Sequence, residues 1–363
     1  MRVFPYSQTA GYDIHTQRLL TMCRFSTVLT AVGLSLLAGS SLAQPDTSPK
    51  PMPDGCSCPT VLSEAVDKVT RMYAGFDDKV NARTRSQYNE VLKTVTADAQ
   101  KAQTLDDCGK VLKTYTNFFR DSHVFPMWNK SGAKLIMAGE AYKNATNLVT
   151  FRQLNPEYIY VKLANFNERD VNELDSLLRA NTALIARTPN LILDLRGNGG
   201  GNTSTSEEMV KLIYTNPIIY PATDERSSAE RIEATEKDLK PYLKDTINNA
   251  FFYHRAKKLV QDLKANPGGL VRYGDDLTRT ADVSPTANPQ RIALLIDKGT
   301  GSSAEYFIYE GSQSRKVTTF GINSHGVMDY GGDQNRPLCD GTFNLAVPWS
   351  RNGWTRKFRI DNV

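Results

Sequence analysis

Two short and almost unbroken apolar runs constrain the fold of this chain more than any other feature. They cover residues 191–195 and 292–296, and each ends in a turn of glycines or other small residues that leads into helix-like sequence. Apolar runs of this length are typical of strands in a sheet that is covered on both faces. Because the order strand, turn, helix occurs twice, the sequence predicts an α/β core.

The chain before these strands has the periodicity of helices. From Pro59 onward, apolar side chains recur at helical spacing, and two further helical stretches cover about residues 82–101 and 104–119. We therefore predict a helical N-terminal domain over residues 59–121. It follows a Pro-, Ser- and Asp-rich linker over residues 44–58.

The rest of the chain, residues 122–363, is assigned to the α/β core. Within it the sequence predicts further strands at residues 158–163 and 316–321 and a helix over residues 169–186. A charged segment over about residues 222–264 is rich in Glu, Lys and Ala and predicts inserted helices. These helices are interpreted either as a lid over a cleft or as a solvated excursion from the core.

The N-terminus has the pattern of an export signal. An apolar run over residues 28–37 follows a basic residue and precedes small residues that end at Ala43. We expect residues 1–43 to be a signal peptide and the mature protein to be periplasmic or secreted. The run is too short to span a membrane as a mature helix, so no stable membrane insertion is expected. Because Met22 heads a leader of ordinary length, a start at Met22 is an alternative.

The composition excludes some classes of partner. The net charge is only +5, and no basic stripe interleaved with aromatic residues occurs, which argues against a nucleic-acid partner. An apolar content of 40% is enough for a substantial core. No cofactor is expected, and the sequence has no signal for an oligomeric state.

Four cysteines follow the leader: Cys56, Cys58, Cys108 and Cys339. An exported protein can keep disulfides, and Cys56 or Cys58 paired with Cys108 would join the N-terminal helices. All three pairings of four cysteines stay open at this point. The alternative is a Cys-X-Cys metal site, which needs more ligands than the few remaining histidines offer, so no metal site is predicted.

A glycine-rich stretch follows the first apolar strand: Asp194-Leu195-Arg196-Gly197-Asn198-Gly199-Gly200-Gly201. Glycines let backbone N–H groups approach a ligand closely, which suits a phosphate or the oxyanion of acyl transfer. The stretch lacks the Lys of a P-loop and the spacing of a dinucleotide site. A plain tight turn is the alternative interpretation.

A serine-containing turn follows the second apolar strand, with the sequence Gly299-Thr300-Gly301-Ser302-Ser303-Ala304-Glu305. A serine at the start of a helix lies at the positive end of the helix dipole, and the next N–H is placed to hold an oxyanion. Ser302 is therefore a candidate nucleophile. The alternative is an ordinary helix cap, with Glu305 three residues later completing a capping box.

A serine nucleophile needs a base, which is commonly a histidine. Three histidines follow the leader. His123, at the end of the helical region, is the preferred base. His325 is a rival that chemistry alone does not exclude, whereas His254 lies in the charged segment and is expected to be solvated.

Taken together and in this order, the three stretches resemble the tail-specific, or C-terminal-processing, serine peptidases and the related tricorn-type peptidases. The glycine-rich stretch is the most specific element, and residues 300–305 resemble the family's nucleophile turn. The resemblance covers roughly residues 60–363. It implies a crotonase-like, Clp-type α/β core with a helical N-terminal domain and the hydrolysis of peptide or protein substrates. It also makes Ser302 the nucleophile and assigns the oxyanion to the Ser303 N–H and one N–H of Gly199, Gly200 or Gly201.

The family has two catalytic designs. One pairs the serine with a lysine, but Val327 stands at about the lysine position and takes no proton, so this design is disfavoured. The other resembles tricorn and uses a Ser-His pair, which Ser122-His123 fits, together with a late acidic residue. Asp361 stands at about the position of that residue, as Asp rather than Glu.

The chain ends where the family's Gly-X-X-Pro-Asp stretch would begin, so a truncated chain is one expectation and a different C-terminus another. A PDZ domain does not fit between His123 and Leu191, because two strands and a helix already fill that interval. The resemblance implies an exported serine peptidase in which Ser122 and Asp361 orient His123. The alternatives are an inactive peptide-binding homologue, an ester hydrolase on the same site, and a sugar- or phosphate-binding protein.

Overall fold

The structure, a computed structural model, describes residues 50–128, 149–201, 206–279 and 285–357. The predicted signal peptide and Asp361 lie outside these residues. Within the described ranges, no helix has both the length and the apolar composition that crossing a bilayer requires.

The helices at the start of the described chain confirm the predicted helical region. They are α1 (Cys58–Met72), α2 (Phe76–Lys79), α3 (Arg85–Ala99) and α4 (Leu105–Asn117). The Ser57 hydroxyl caps α1 by accepting the Thr60 N–H at 3.4 Å. The Thr104 hydroxyl caps α4 by accepting the Asp107 N–H at 3.2 Å. Of the apolar side chains that predicted the first helix, Leu62, Val69 and Tyr73 are buried, and Val66 is partly buried against the same core.

An antiparallel sheet packs against these helices. Its strands are β1 (Phe125–Trp128), β6 (Thr223–Arg226), β7 (Leu270–Tyr273), β11 (Tyr330–Leu338) and β12 (Phe343–Arg351). One hydrophobic core joins Tyr115 and Phe119 of the helical region to Phe343 and Leu345 of β12. The helical region therefore shares its core with strands from the far end of the chain, and the domain boundary near residue 121 stays a prediction.

Two disulfides attach to the helical region. Cys58–Cys108 joins α1 to α4, with 5.4 Å between the Cα atoms. Cys56–Cys339 joins the residues before α1 to the turn after β11, across 283 positions of sequence and 5.8 Å between the Cα atoms. The sequence left the cysteine pairing open. In the structure, one disulfide is local and the other joins residues near the two ends of the described chain.

A second, mixed sheet contains the two apolar runs. Its strands are β2 (Val149–Asn155), β3 (Tyr158–Leu163), β4 (Asn190–Asp194), β9 (Arg291–Ile296) and β10 (Val317–Gly321), in the spatial order β10-β9-β4-β3-β2. All neighbours are parallel except β2, which is antiparallel to β3. The apolar faces packed on this sheet belong to α5 (Glu168–Ala180), α6 (Thr182–Arg187), α7 (Glu207–Ile213) and α10 (Ser303–Ser312). The predicted α/β core is confirmed, and its two apolar strands are immediate neighbours.

The charged segment forms a helical hairpin between two strands of the antiparallel sheet. The chain runs from β6 through α8 (Ala229–Leu239) and α9 (Ala250–Ala265) to β7. A buried ion pair between Arg231 and Glu225, at 2.9 Å, attaches the start of α8 to β6. Outside this hairpin, β5 (Ile218–Tyr220) and β8 (Leu277–Arg279) pair antiparallel as a two-stranded sheet. The charged segment thus contains two α-helices, and its role as an inserted lid stays a prediction.

Candidate active site

The turns that follow β4 and β9 meet at one edge of the mixed sheet. Because these strands are parallel neighbours, the chain leaves both at the same edge. The Gly301 N–H donates to the Asn198 carbonyl at 2.9 Å, and the Thr300 hydroxyl donates to the Leu195 carbonyl at 2.9 Å. Strand adjacency therefore brings the glycine-rich stretch onto the predicted nucleophile turn.

Gly200 lies close against the nucleophile turn. Its φ is +97°, and a Cβ at this position would lie 2.7 Å from the Ser302 Cβ and 2.8 Å from the Ser303 nitrogen. Only glycine fits both this backbone conformation and this space. The absence of a side chain here lets the glycine-rich backbone reach Ser302.

Ser302 has a strained backbone conformation at the start of α10. Its φ is +53° and its ψ is −119°, a combination that costs a residue with a side chain about 1–3 kcal/mol. The next residue, Ser303, is the first residue of the helix. The free backbone N–H groups at this end form the positive end of the helix dipole. Among the described residues, the Ser303 N–H donates to no protein acceptor. The Ser303 N–H, predicted as an oxyanion donor, is therefore not used by the described part of the chain.

Glu305 joins the nucleophile turn to the loop after β10. Its buried carboxylate accepts four hydrogen bonds, from the Ser302 N–H (2.9 Å), the Ser324 hydroxyl (2.6 Å), the Gly326 N–H (2.6 Å) and the Val327 N–H (3.1 Å). The capping relation between Glu305 and Ser302 is therefore present. Because the same carboxylate binds three residues of the next loop, it also holds that loop against the nucleophile turn.

The glycine-rich stretch offers backbone donors beside Ser302. The Gly200 N–H donates to the Asn198 side-chain oxygen at 3.0 Å and is used inside the turn. Asn198 is fully buried and donates its side-chain amide to the Leu163 carbonyl at 3.0 Å. Gly199 and Gly201 are the other two predicted glycine donors, and their N–H groups donate to no acceptor within the described ranges of the chain.

Two carboxylates support the backbone of the glycine-rich stretch. Burial raises the pKa of Asp194, but hydrogen bonds from the Arg196 guanidinium and the Tyr160 hydroxyl outweigh it and lower the pKa to about 2. Asp297 accepts the Gly197 N–H at 2.8 Å, and this backbone hydrogen bond lowers the pKa of Asp297. Both carboxylates therefore act as ionised anchors for the turn.

The hydroxyl of Ser122 meets the rival base, His325. Ser122 Oγ lies 3.0 Å from His325 Nε2. The backbone N–H of His325 donates to the Thr300 carbonyl at 2.7 Å. A Cβ added to Gly301 would lie 3.4 Å from His325 Nδ1. The imidazole of His325 thus stands next to the residue that precedes Ser302.

His123, the preferred base, lies beside Asp121. Its Nδ1 is 3.7 Å from Asp121 Oδ1. Among the described residues, no hydrogen bond joins the His123 ring to Ser302. The contact with the loop after β10 is made by its neighbour Ser122, which meets His325. The described contacts therefore place His325 against the nucleophile turn and the ring of His123 beside Asp121.

The remaining sequence predictions concern Val327, His254 and a metal site. Val327, predicted at the lysine position, is buried, and its Cγ2 would be 3.6 Å from a Cβ on Gly301. His254 is exposed on α9, in agreement with the prediction. In the described part of the chain, no group of three His, Cys, Asp or Glu side chains is arranged to hold a metal ion.

Sequence reasoning missed Asp121, Asn198 and Asp297 as parts of the site and gave Glu305 only a capping role. A signal for Asp121 existed, because it is an acid two residues before His123. The multiple contacts of Glu305 and Asn198 had no such signal, since their partners come from other strands and loops.

Three solved structures share the fold of this chain. The crystal structure of mature CPAF has a TM-score of 0.59 at 10% identity, covering 84% of this chain and 91% of that chain. Mature CPAF complexed with lactacystin has a TM-score of 0.57 at 9% identity, covering 84% and 92%. A protein from Parabacteroides merdae ATCC 43184 has a TM-score of 0.53 at 12% identity, covering 82% and 84%. At these identities the likeness concerns the fold.

No curated protein sequence matches this chain. The model of peptidase family S41 matches residues 157–348, which include the glycine-rich stretch and the nucleophile turn. That match spans more than half of the chain and confirms the resemblance to the C-terminal-processing peptidases. The chain belongs to peptidase family S41 and is a serine-type peptidase acting on peptide or protein substrates.

Proposed function

We propose that this chain is an exported peptidase in which Ser302 is the nucleophile and His123 is the general base. The observation that carries the proposal is the junction of the two turns. There a serine with positive φ immediately precedes a helix, and Gly200 packs against its Cβ. Export is inferred from the leader pattern over residues 1–43.

The oxyanion site is proposed between the Ser303 N–H and the N–H of Gly199 or Gly201. The close approach of Gly200 to the Ser303 nitrogen supports this arrangement. Donors of this kind act on charge that develops in the transition state, and the loss of one typically lowers kcat on the order of 10²–10³-fold.

The proposed reaction is acyl transfer in two steps. His123 takes the proton of the Ser302 hydroxyl while the oxygen attacks the peptide carbonyl, and the carbonyl oxygen becomes the oxyanion. His123 then gives that proton to the leaving amine as the C–N bond breaks. A water molecule repeats the sequence on the acyl ester, and the acid product leaves with Ser302 regenerated. Because Nδ1 of His123 faces Asp121, the proton is exchanged at Nε2.

The supporting residues are also part of the proposal. Ser122 was expected to orient His123, and its contact with His325 supports a place for this hydroxyl in the site. The same contact, with the position of His325 beside Gly301, favours His325 as the alternative base. Asp361 remains the proposed late acid.

The test is digestion of a mixed peptide library by the full chain, read by mass spectrometry. Ser302→Ala and His123→Ala are expected to abolish cleavage. His254→Ala is the matched control, because His254 is an exposed histidine on α9, and it should cleave like the parent.

The possible results separate the alternatives. Cleavage that survives Ser302→Ala contradicts the proposed nucleophile. Cleavage lost in His325→Ala but retained in His123→Ala assigns the base to His325. Peptide binding without cleavage by the parent indicates an inactive homologue, and hydrolysis of small esters but never of amides indicates an ester hydrolase.

A further inference from the structure

Asp121 is a buried acid next to the proposed base. Its side chain is 0% exposed, and that of His123 is 15% exposed. Asp121 Oδ1 accepts the backbone N–H of His123 at 2.9 Å, and Oδ2 accepts the Tyr73 hydroxyl at 2.7 Å. Each carboxylate oxygen therefore has a donor, and together these donors fix the plane of the carboxylate.

Tyr73 is itself held in place by packing. Its ring has no exposed surface and makes edge contacts with Phe119 and Tyr330, at centroid distances of 5.5 Å and 5.2 Å. Because aromatic pairs of this kind belong to the core that joins the helices to the antiparallel sheet, the Tyr73 hydroxyl is a rigid donor to Asp121.

Asp121 has a basic neighbour in His123. Among the described residues, His123 is the one basic group within ion-pair distance of this carboxylate, with Nδ1 at 3.7 Å from Oδ1. Burying a carboxylate is costly unless a cation or several donors compensate it. An anion kept here is therefore well placed to stabilise positive charge on the His123 ring.

The ring nitrogen of His123 that faces Asp121 is Nδ1. Nδ1 is buried and has no hydrogen-bond partner in the part of the chain that the structure describes. Its distance to Asp121 exceeds an N–H···O hydrogen bond by about 0.5–1 Å. Catalytic hydrogen bonds are often long in free enzymes and shorten when the substrate binds.

We propose that Asp121 is a positioning residue for His123. The carboxylate accepts the Nδ1–H, which leaves the Nε2 lone pair to take the Ser302 proton, and it stabilises the imidazolium that then forms. This role depends on the proposed Ser302–His123 chemistry. His325 differs, because its Nε2 meets the neutral hydroxyl of Ser122, so the buried charge favours His123 as the base.

The first test reads the tautomer of His123 without any need for activity. In ¹⁵N-histidine spectra of the full chain at pH 8, His123 is assigned with His123→Gln and is expected to have its proton on Nδ1. Asp121→Asn should move a measurable fraction of that proton to Nε2, while the exposed His254 stays unchanged. A parent His123 with its proton on Nε2, or an identical spectrum in Asp121→Asn, overturns the proposal.

The second test measures kcat and KM on a peptide that the parent cleaves. In chymotrypsin-type enzymes the corresponding Asp→Asn change lowers kcat on the order of 10⁴-fold. We expect a loss on the order of 10²–10⁴-fold in Asp121→Asn with KM nearly unchanged. Tyr73→Phe keeps the ring but removes the donor to Asp121, and a loss of about tenfold is expected. Asp98→Asn, at an exposed acid of α3, is the control and should behave like the parent.

The two proposals fail in different ways. If the parent cleaves through Ser302 and Asp121→Asn keeps its kcat, Asp121 is not a positioning residue and the peptidase proposal stands. If the parent cleaves nothing, the proposed function fails, and the tautomer of His123 still decides the role of Asp121. Should Asp121→Asn not fold, Tyr73→Phe provides the same two readings.

Discussion

The two halves of the candidate site are held together by different kinds of contact. The nucleophile half consists of the turns after β4 and β9, which are joined by backbone hydrogen bonds and by the four bonds to Glu305. The proposed base half, Ser122 and His123, follows the N-terminal helices and lies in sequence between Phe119 and Val124 of the other core. It meets the nucleophile half through the contact between Ser122 and His325.

The geometry of one half therefore depends on contacts between neighbouring strands, and that of the other half depends on tertiary packing. The nucleophile half depends on two neighbouring strands and the turns directly after them, so its geometry follows once the strands pair. The base half depends on how two hydrophobic cores pack against each other. We therefore expect substitutions in the nucleophile half to act on the reaction directly and those in the contact between the halves to act more weakly.

The largest expected effect is that of Gly200→Ala. A Cβ here would lie 2.7 Å from the Ser302 Cβ, at a φ that side chains rarely adopt, so the turns must separate. Because this displaces oxyanion donors, we expect kcat to fall on the order of 10²–10³-fold. Gly331→Ala is the matched control, since nothing lies within 4 Å of its Cβ. A Gly200→Ala enzyme with the parent's kcat would show that the close approach of the turns is not required.

A smaller effect is expected for the contact between the halves. Ser122→Ala and His325→Gln each remove one partner of the same 3.0 Å hydrogen bond. We expect each to lower kcat by about tenfold or less, and the double variant to lose no more than either single variant. Strictly multiplicative losses in this double-mutant cycle would show that the two side chains act independently.

The smallest effect concerns acid stability. The pKa of Asp194 lies at about 2, below its ordinary value of 3.8. The ionised carboxylate therefore stabilises the folded protein above pH 3.8, and this stabilisation is lost as the pH falls toward 2. We expect Asp194→Asn to be less stable than the parent in urea unfolding at pH 7 and close to it near pH 2. Asp54→Asn, at an exposed carboxyl, should show no such convergence.

Much of the architecture was predictable because it depends on short-range periodicity. The apolar runs predicted β4 and β9, the helical spacing predicted α1, α3 and α4, and the charged segment predicted α8 and α9. The ends of helices were less predictable. The helix predicted over residues 169–186 is broken at Asn181 into α5 and α6. There the Asn181 side chain donates to the Leu177 carbonyl at 2.8 Å, a local bond that competes with helix continuation.

The sequence by itself determined the strand–turn–helix units and the family, and it predicted the nucleophile turn. These features arise from residues within a few positions of one another, where backbone hydrogen bonds and turn chemistry act. Only the tertiary structure decided that Cys56 pairs with Cys339, that Ser122 meets His325 and that Tyr73 supports Asp121. Each of these contacts joins residues 48 or more positions apart, and such contacts form only when the packing of the cores brings the chain segments together.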